Sequence, residues 1–247
     1  IADPSPFKVA KKGRRTGLTW AEAADNVLIA AADKRAGGQN VYYVGQDKDM
    51  TEEYIDACAM WAREFNQAAG AVEQGIWDDV DDEGGSKSIL TYTIRFPKAR
   101  HRITALASRP KKLRGRQGVL VGDEAAFQDD LDGLIKAAMA FLIWGGKVRL
   151  ISTLFGVDNP FTTLCVDILS GKQPGSLHTI TFRQAVAEGL YKRVCLRMGK
   201  AWTQADEDAW VEGIYSFYRD NADEELDCIP SQSSGAYFSR ALVEARM

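Results

Sequence analysis

The sequence is poor in the residues that hold metals and staple small folds. It has only two histidines, His101 and His178, so a histidine-rich metal site is excluded. Its four cysteines, Cys58, Cys165, Cys195 and Cys228, lie 30 or more residues apart. No Cys-x-x-Cys pair exists, which argues against a zinc finger and a dense disulfide framework. Reduced, buried thiols of a cytosolic protein are the expectation. No run of 18 apolar residues is present, so no membrane span is expected. Positive charge is not in excess: 31 Lys and Arg against 34 Asp and Glu give a net charge of −3. That excludes a uniformly basic nucleic-acid binder, though not a local basic patch. The chain opens at Ile1 without a signal-peptide pattern and reads as a fragment or a processed chain.

What is present is ordinary in amount and uneven in placement. At 247 residues, 45% hydrophobic and 26% charged, the chain can build one or two domains with a substantial core. From Gly84 to Gly122 there are ten basic residues and no acidic one, and Lys8 to Arg15 adds five more. Acids gather at Asp78 to Glu83, Asp123 to Asp132 and Asp220 to Asp227. Such runs are either solvated faces or, for the basic ones, segments facing a polyanion.

The hydrophobic pattern alternates between strand and helix. Phe7 to Ala10, Val41 to Val44, Ile89 to Phe96, His101 to Ala107, Gly118 to Gly122, Lys147 to Ser152 and His178 to Phe182 read as strands. Ile89 to Phe96 and His101 to Ala107, parted by Pro97, should form a hairpin. Thr16 to Ala32, Thr51 to Ala69 with Thr51 as cap, the Leu131 to Phe141 face, Phe161 to Leu169, and Thr203 to Asp220 with Trp210, Ile214 and Phe217 on one side read as helices. Asp78 to Ser86 reads as an acidic loop, and the tail from Ser231 to Met247 as a Ser-rich loop followed by a helix start. The six tryptophans are expected to pack rather than to stack on bases. Apolar strands without a polar face, alternating with helices, imply a parallel sheet covered on both sides.

Four segments carry chemistry. Lys12-Gly13-Arg14-Arg15-Thr16-Gly17-Leu18-Thr19 follows a strand and opens a helix, where backbone N–H groups and the helix dipole favour an anion. Gly13 and Gly17 permit a tight backbone. Thr19 stands where a phosphate-loop hydroxyl would hold Mg²⁺, but Leu18 occupies the usual lysine position, so Lys12 is the candidate cation. About 105 residues on, the buried strand Val119-Leu120-Val121-Gly122 ends in Asp123-Glu124. One carboxylate can serve Mg²⁺ and the next can orient an attacking water, at the sheet edge where ligands bind in open α/β folds. Leu150-Ile151-Ser152-Thr153 is a buried strand ending in hydroxyls, which could sense a γ-phosphate. Arg109, Arg114 and Arg116 precede the Asp-Glu strand and could act as an arginine finger or contact nucleic-acid phosphates.

In this order the four features resemble the ATPase domain of phage large terminase subunits, especially the Mu-like branch. That family carries a deviant phosphate loop of the form Lys-x-Arg-Arg/Gln-x-Gly-x-Ser/Thr, which Lys12 to Thr19 fits. Its hairpin and Arg-Gly step before the Asp-Glu motif match Ile94 to Ser108 and Arg114-Gly115. Its coupling motif matches Ile151-Ser152-Thr153, followed by Gly156 and Asn159-Pro160-Phe161. The resemblance implies an α/β P-loop NTPase of the ASCE, RecA-like kind, with a mostly parallel central sheet flanked by helices. Residues 1–182 would be the ATPase core and 183–247 a helical lid and linker toward a nuclease domain. It further implies ATP and Mg²⁺ as cofactors. Lys12 would be the loop lysine, Arg14 a γ-phosphate sensor, and Gly13, Arg15, Thr16, Gly17, Leu18 and Thr19 the nucleotide cradle. Thr19 and Asp123 would serve the metal, Glu124 would be the catalytic carboxylate, and Ser152 and Thr153 would couple hydrolysis to movement. Arg114 would be offered to a neighbouring subunit, while Lys111, Lys112 and Arg116 would contact DNA. The implied partners are double-stranded DNA, a portal protein, a small terminase subunit and copies of the chain itself in a ring of five, monomeric when isolated. All would meet in the cytoplasm of a bacterial host.

Two family features fall outside these residues: an adenine-contacting glutamine segment before Ile1 and a nuclease carboxylate cluster beyond Met247. Cleavage of DNA is therefore not expected of this chain. The alternatives are a helicase-like RecA-fold ATPase, for which about 95 residues after Thr153 leave no room for a second such domain, and a non-catalytic DNA-binding module with a degenerate phosphate loop.

Overall fold

A computed structural model describes residues 3–67, 69–70, 72–80, 86–106, 113 and 116–232. Its strands are β1 (Phe7–Lys12), β2 (Val41–Val44), β3 (Glu73–Val80), β4 (Ser86–Phe96), β5 (His101–Leu106), β6 (Val119–Asp123), β7 (Lys147–Ser152) and β8 (Ser176–Ile180). They belong to one sheet in the order β3-β4-β5-β2-β6-β7-β1-β8. The helices are α1 (Leu18–Ala31), α2 (Lys48–Glu64), α3 (Leu131–Ile143), α4 (Pro160–Leu169), α5 (Phe182–Ala187), α6 (Leu190–Met198), α7 (Gln204–Tyr218) and α8 (Ala222–Glu225). The chain divides into two compact units, each discontinuous in sequence.

The first unit holds Ile1–Val9, Gly17–Ile151 and Pro174–Ser176. Its centre is the apolar pair β2 and β6, every residue of which is buried. They run parallel, with Val41 beside Val119, and β2 also pairs in parallel with β5 and β6 with β7. Strands buried on both faces carry no polar alternation, which is why VYYV and GVLVG read as continuous apolar runs. The expected hairpin of β4 and β5 is present and antiparallel. The acidic segment from Asp78 is not simply a loop: residues 78–80 end β3, which pairs antiparallel with β4. An outer strand pairs through its backbone and tolerates charge, so composition concealed it.

Helix α2 begins three residues before the expected cap. Asp47 caps it by accepting the Met50 N–H at 2.9 Å. Thr51 lies inside, its hydroxyl donating to the carbonyls of Asp47 and Leu106. Ile55, Cys58 and Ala62 form the buried face as their spacing implied. In α3 that face is Leu131, Leu134, Ala137, Ala138 and Phe141.

The second unit holds Ala10–Thr16, Ser152–Gln173 and Leu177–Met247. Strand β8 ends at Ile180, and Thr181 caps α5, which starts at Phe182 rather than closing the strand. Phe182, Val186, Ala222 and Leu226 form its core, with Trp210, Ile214 and Tyr218 packed against them. Phe217 is 85% exposed, contrary to expectation. The inward arc of α7 is centred on Val211, Ile214 and Tyr218, which leaves Phe217 on its border. The tail from 233 lies outside the described residues.

All four cysteines are buried and free. Burial pushes the Cys58 and Cys165 thiols up to about 12 and that of Cys228 to about 11. Three tryptophans pack as expected: Trp20 lies 4.5 Å from Trp61, and Trp210 lies against Phe182 and Tyr191. Trp144 does not; it is 74% exposed. Among the described residues, no helix is long and apolar enough to cross a membrane.

Candidate functional site

The Lys12 to Thr19 loop is shared by the two units, which meet in sequence at Thr16 and Gly17. In the first unit the backbone turns at Gly17, whose φ of 84° is the left-handed conformation that glycine adopts without strain. Helix α1 starts there with no side chain capping it. Its first turn presents Thr19.

The Thr19 hydroxyl donates to Asp123 Oδ2 at 2.8 Å across 104 residues of sequence. Tyr43 donates to the same oxygen at 3.0 Å, and the Glu124 N–H donates to Oδ1 at 3.0 Å. Asp123 is buried at the end of β6. Glu124 follows with φ 47° and ψ 48°. A non-glycine residue in that region is uncommon, and such strain clusters at working sites. Thr19 and Asp123 thus set two hard oxygen donors side by side, the chemistry that suits Mg²⁺. The Thr19 proton points to the carboxylate, so its oxygen keeps lone pairs for a metal. No group of three or more His, Cys, Asp or Glu able to hold a metal occurs among the described residues. Mg²⁺ seldom needs one, because substrate phosphates and waters complete its shell.

Around this pair lies a buried polar network that sequence reasoning missed. Tyr43 stacks on Tyr54 with ring centroids 3.7 Å apart and planes at 7°. The Tyr54 hydroxyl accepts from Asn26 Nδ2 at 2.8 Å. Burial, then the nearby Asp123 charge, hold the Tyr43 hydroxyl well above the usual tyrosine range. Arg149, in mid-β7, donates to Glu22 at 2.5 Å and pairs with Asp25 at 2.7 Å, both on α1. Burial works against its charge, but Glu22 and then Asp25 outweigh that, so its pKa lies above the ordinary arginine value. A signal was available here: an arginine inside an apolar strand needs buried partners, and Glu22, Asp25 and Asn26 share one helical face.

In the second unit, Lys12 is buried at the end of β1. The Gly13 N–H donates to the Ile180 carbonyl and the Arg14 N–H to the Glu225 carbonyl, each at 2.8 Å. A Cβ on Gly13 would stand 2.6 Å from the Leu226 carbonyl oxygen, so no larger residue fits there. The Arg14 guanidinium makes a two-point ion pair with Glu225, through Nε and Oε2 and through Nη2 and Oε1. Arg15 is exposed, with φ 55°, and the Thr16 hydroxyl donates to the Gly13 carbonyl. Ser152 and Thr153 are fully buried, and the Thr153 hydroxyl has no hydrogen-bond partner among the described residues. Glu224, beside Glu225, accepts from the Gly156 and Ser231 N–H groups.

The basic run from Lys8 to Arg15 is not a uniform polyanion-facing segment. Lys8 and Lys12 are buried, and Lys11 reaches the Cys228 carbonyl at 3.4 Å. Burial and then the nearby Arg149 lower the Lys8 pKa. Arg116 is exposed. Arg109, Lys111, Lys112 and Arg114 lie outside the described residues.

No protein-family model matches the chain. It is 50% identical over 246 residues to Mu-like prophage FluMu protein gp28 of Haemophilus influenzae, covering 99% of this chain and 47% of that protein. It is 51% identical over 249 residues to the probable terminase, large subunit gp28 of Escherichia phage Mu, covering 99% of this chain and 44% of that protein. The chain therefore spans about half the length of these relatives. Among solved structures, the large terminase ATPase domain of Thermus phage P74-26 matches with a TM-score of 0.56 at 14% identity, over 93% of this chain and 90% of that one. The HK97 bacteriophage large terminase matches with a TM-score of 0.56 at 15% identity, over 97% of this chain and 50% of that one. The large terminase of a thermophilic bacteriophage in complex with ADP matches at 0.52 and 14% identity, over 75% of this chain and 43% of that one. At such identities these structures establish the fold, a RecA-like α/β domain with a mostly parallel sheet. At about 50% identity across nearly all of its residues, the chain is similar to roughly half the length of gp28, the probable large terminase subunit of phage Mu, and of its prophage counterpart.

Proposed function

We propose that this chain is the ATP-hydrolysing motor domain of a viral packaging machine, driving double-stranded DNA into a procapsid. The observation that carries the reading is the Thr19 to Asp123 hydrogen bond, which joins the loop motif to the Asp-Glu strand. Lys12 and Arg14 supply positive charge for the β- and γ-phosphates in place of the lysine that Leu18 displaces. Gly13, Arg15, Thr16, Gly17 and Leu18 shape the cradle, and the α1 N-terminus adds its dipole. Mg²⁺, held through Thr19 and Asp123, would offset phosphate charge. Glu124 orients the attacking water and takes its proton, leaving phosphate and ADP as products. The buried Thr153 hydroxyl, unpartnered among the described residues, supports a role for Ser152 and Thr153 in responding to the γ-phosphate.

Arg116, with Lys111 and Lys112, is proposed to touch DNA phosphates, and Arg114 to act in a neighbouring subunit. Helix α6 adds exposed Lys192, Arg193 and Arg197 to the surfaces suited to a polyanion. The proposed partners are the portal, the small terminase subunit and further copies of the chain in a five-membered ring, within the bacterial host cytoplasm. Residues 183–247 are proposed as the lid and linker. The test is DNA-stimulated ATP hydrolysis by wild type, Glu124→Gln and Lys12→Ala. Loss of a general base should slow turnover by about 10²–10⁴-fold. Equal background rates in all three, with no nucleotide affinity, would sink the motor reading.

A further inference from the structure

We infer that Tyr43 is a positioning residue for the metal-binding carboxylate Asp123. The inference rests on the nucleotide-site reading above and adds to it a residue that never touches nucleotide.

Asp123 Oδ2 accepts two hydroxyl donors, Thr19 at 2.8 Å and Tyr43 at 3.0 Å. They are not equivalent. Thr19 belongs to the phosphate loop and must also offer its oxygen to the ion. Tyr43 sits on the fully buried strand β2, in register with Val121 on the strand that ends in Asp123. Its ring is held face to face by Tyr54, and Tyr54 is tied by Asn26 to α1, the helix whose first turn carries Thr19. The contacts therefore close a circuit from Asp123 through Tyr43, Tyr54, Asn26 and α1 to Thr19, and back to Asp123. Every member of it lies in the first unit.

A buried tyrosine needs some acceptor, and a backbone carbonyl would serve. Here the acceptor is the carboxylate whose direction decides where a divalent cation sits. With Tyr43 and the Glu124 N–H on its two oxygens, Asp123 cannot rotate, and it keeps one orientation whether or not Thr19 is engaged. Outer partners of this kind typically change metal affinity about 10–100-fold when removed.

The test compares wild type, Tyr43→Phe and Tyr42→Phe in the intact protein. Tyr42 is the neighbouring buried residue, packed on Phe141 instead. Mn²⁺ affinity is read by electron paramagnetic resonance in the presence of a non-hydrolysable ATP analogue, and analogue affinity is read separately in EDTA. Thermal unfolding confirms that each variant is folded. Tyr43→Phe should weaken Mn²⁺ binding about tenfold or more and leave metal-free analogue binding unchanged, while Tyr42→Phe changes neither. In an Asp123→Asn background, Tyr43→Phe should cost nothing further, because the tyrosine acts through that carboxylate. If Tyr43→Phe binds Mn²⁺ as wild type does, or weakens it equally in the Asp123→Asn background, the positioning role is overturned and the nucleotide site stands. If wild type itself binds neither analogue nor Mn²⁺, the site reading falls and this inference falls with it.

Discussion

Substituting Arg149 by methionine tests what holds α1 over the sheet. The side chains of Arg149, Glu22 and Asp25 are 4%, 9% and 16% exposed, so little water can replace a lost partner. Breaking a buried pair leaves its partner charge uncompensated and costs about 3–5 kcal/mol. Methionine roughly keeps the packing volume, so most of that cost is electrostatic. For a protein of 150–250 residues, each kcal/mol lowers the melting temperature by about 2–4 °C, so a fall on the order of 10 °C is expected. Circular dichroism with heat and urea reads it, and the urea slope should not change, since the surface exposed on unfolding is the same. The triple variant Arg149→Met, Glu22→Gln, Asp25→Asn removes all three charges and should recover part of the loss. A destabilisation under about 1 kcal/mol for Arg149→Met would refute the reasoning, because an uncompensated buried carboxylate cannot be that cheap. A triple variant less stable than the single one would equally place the effect in packing rather than charge.

Two further outcomes follow from the packing. Gly13→Ala sets a methyl against the Leu226 carbonyl, which cannot turn aside as a side chain would; a loss of about 1–3 kcal/mol in thermal or urea unfolding is expected. The thiols make stability fall in alkali: Cys58 and Cys165 are raised from 9.0 to about 12 and Cys228 to about 11, so the folded state keeps protons that the unfolded chain releases. Their contribution is complete below pH 9 and is lost as pH rises toward 12. Melting temperature against pH, repeated with Cys58→Ser, checks this; an unchanged alkaline slope would rule Cys58 out as a source.

Several elements could be read directly because one-dimensional pattern and burial coincide in them. Strand β2 and the Val119-Leu120-Val121 run of β6 are apolar because both of their faces are covered. The loop at Lys12 to Thr19 and the Asp123-Glu124 pair stand out because they match the residue types and short spacing that the proposed phosphate and metal chemistry demands. Strand β3 was concealed because an outer strand needs only backbone pairing, and its acids imitated a loop. Phe217 was misplaced because a few degrees about the α7 axis decide which large residue meets the core.

The sequence by itself determined the alternation of strand and helix, the neutral buried thiols, and the order of the motifs proposed for phosphate chemistry. Those properties depend on residues a few positions apart, where chain geometry leaves little choice. Only the tertiary structure decided the pairings. It set Tyr43 on Asp123 across 80 residues, Arg149 on Glu22 across 127 and Arg14 on Glu225 across 211. A tyrosine in VYYV has the pattern of any core residue, and nothing local says what its hydroxyl will meet. A buried polar group must find a partner wherever the fold brings one, so its choice is written in the packing of distant segments.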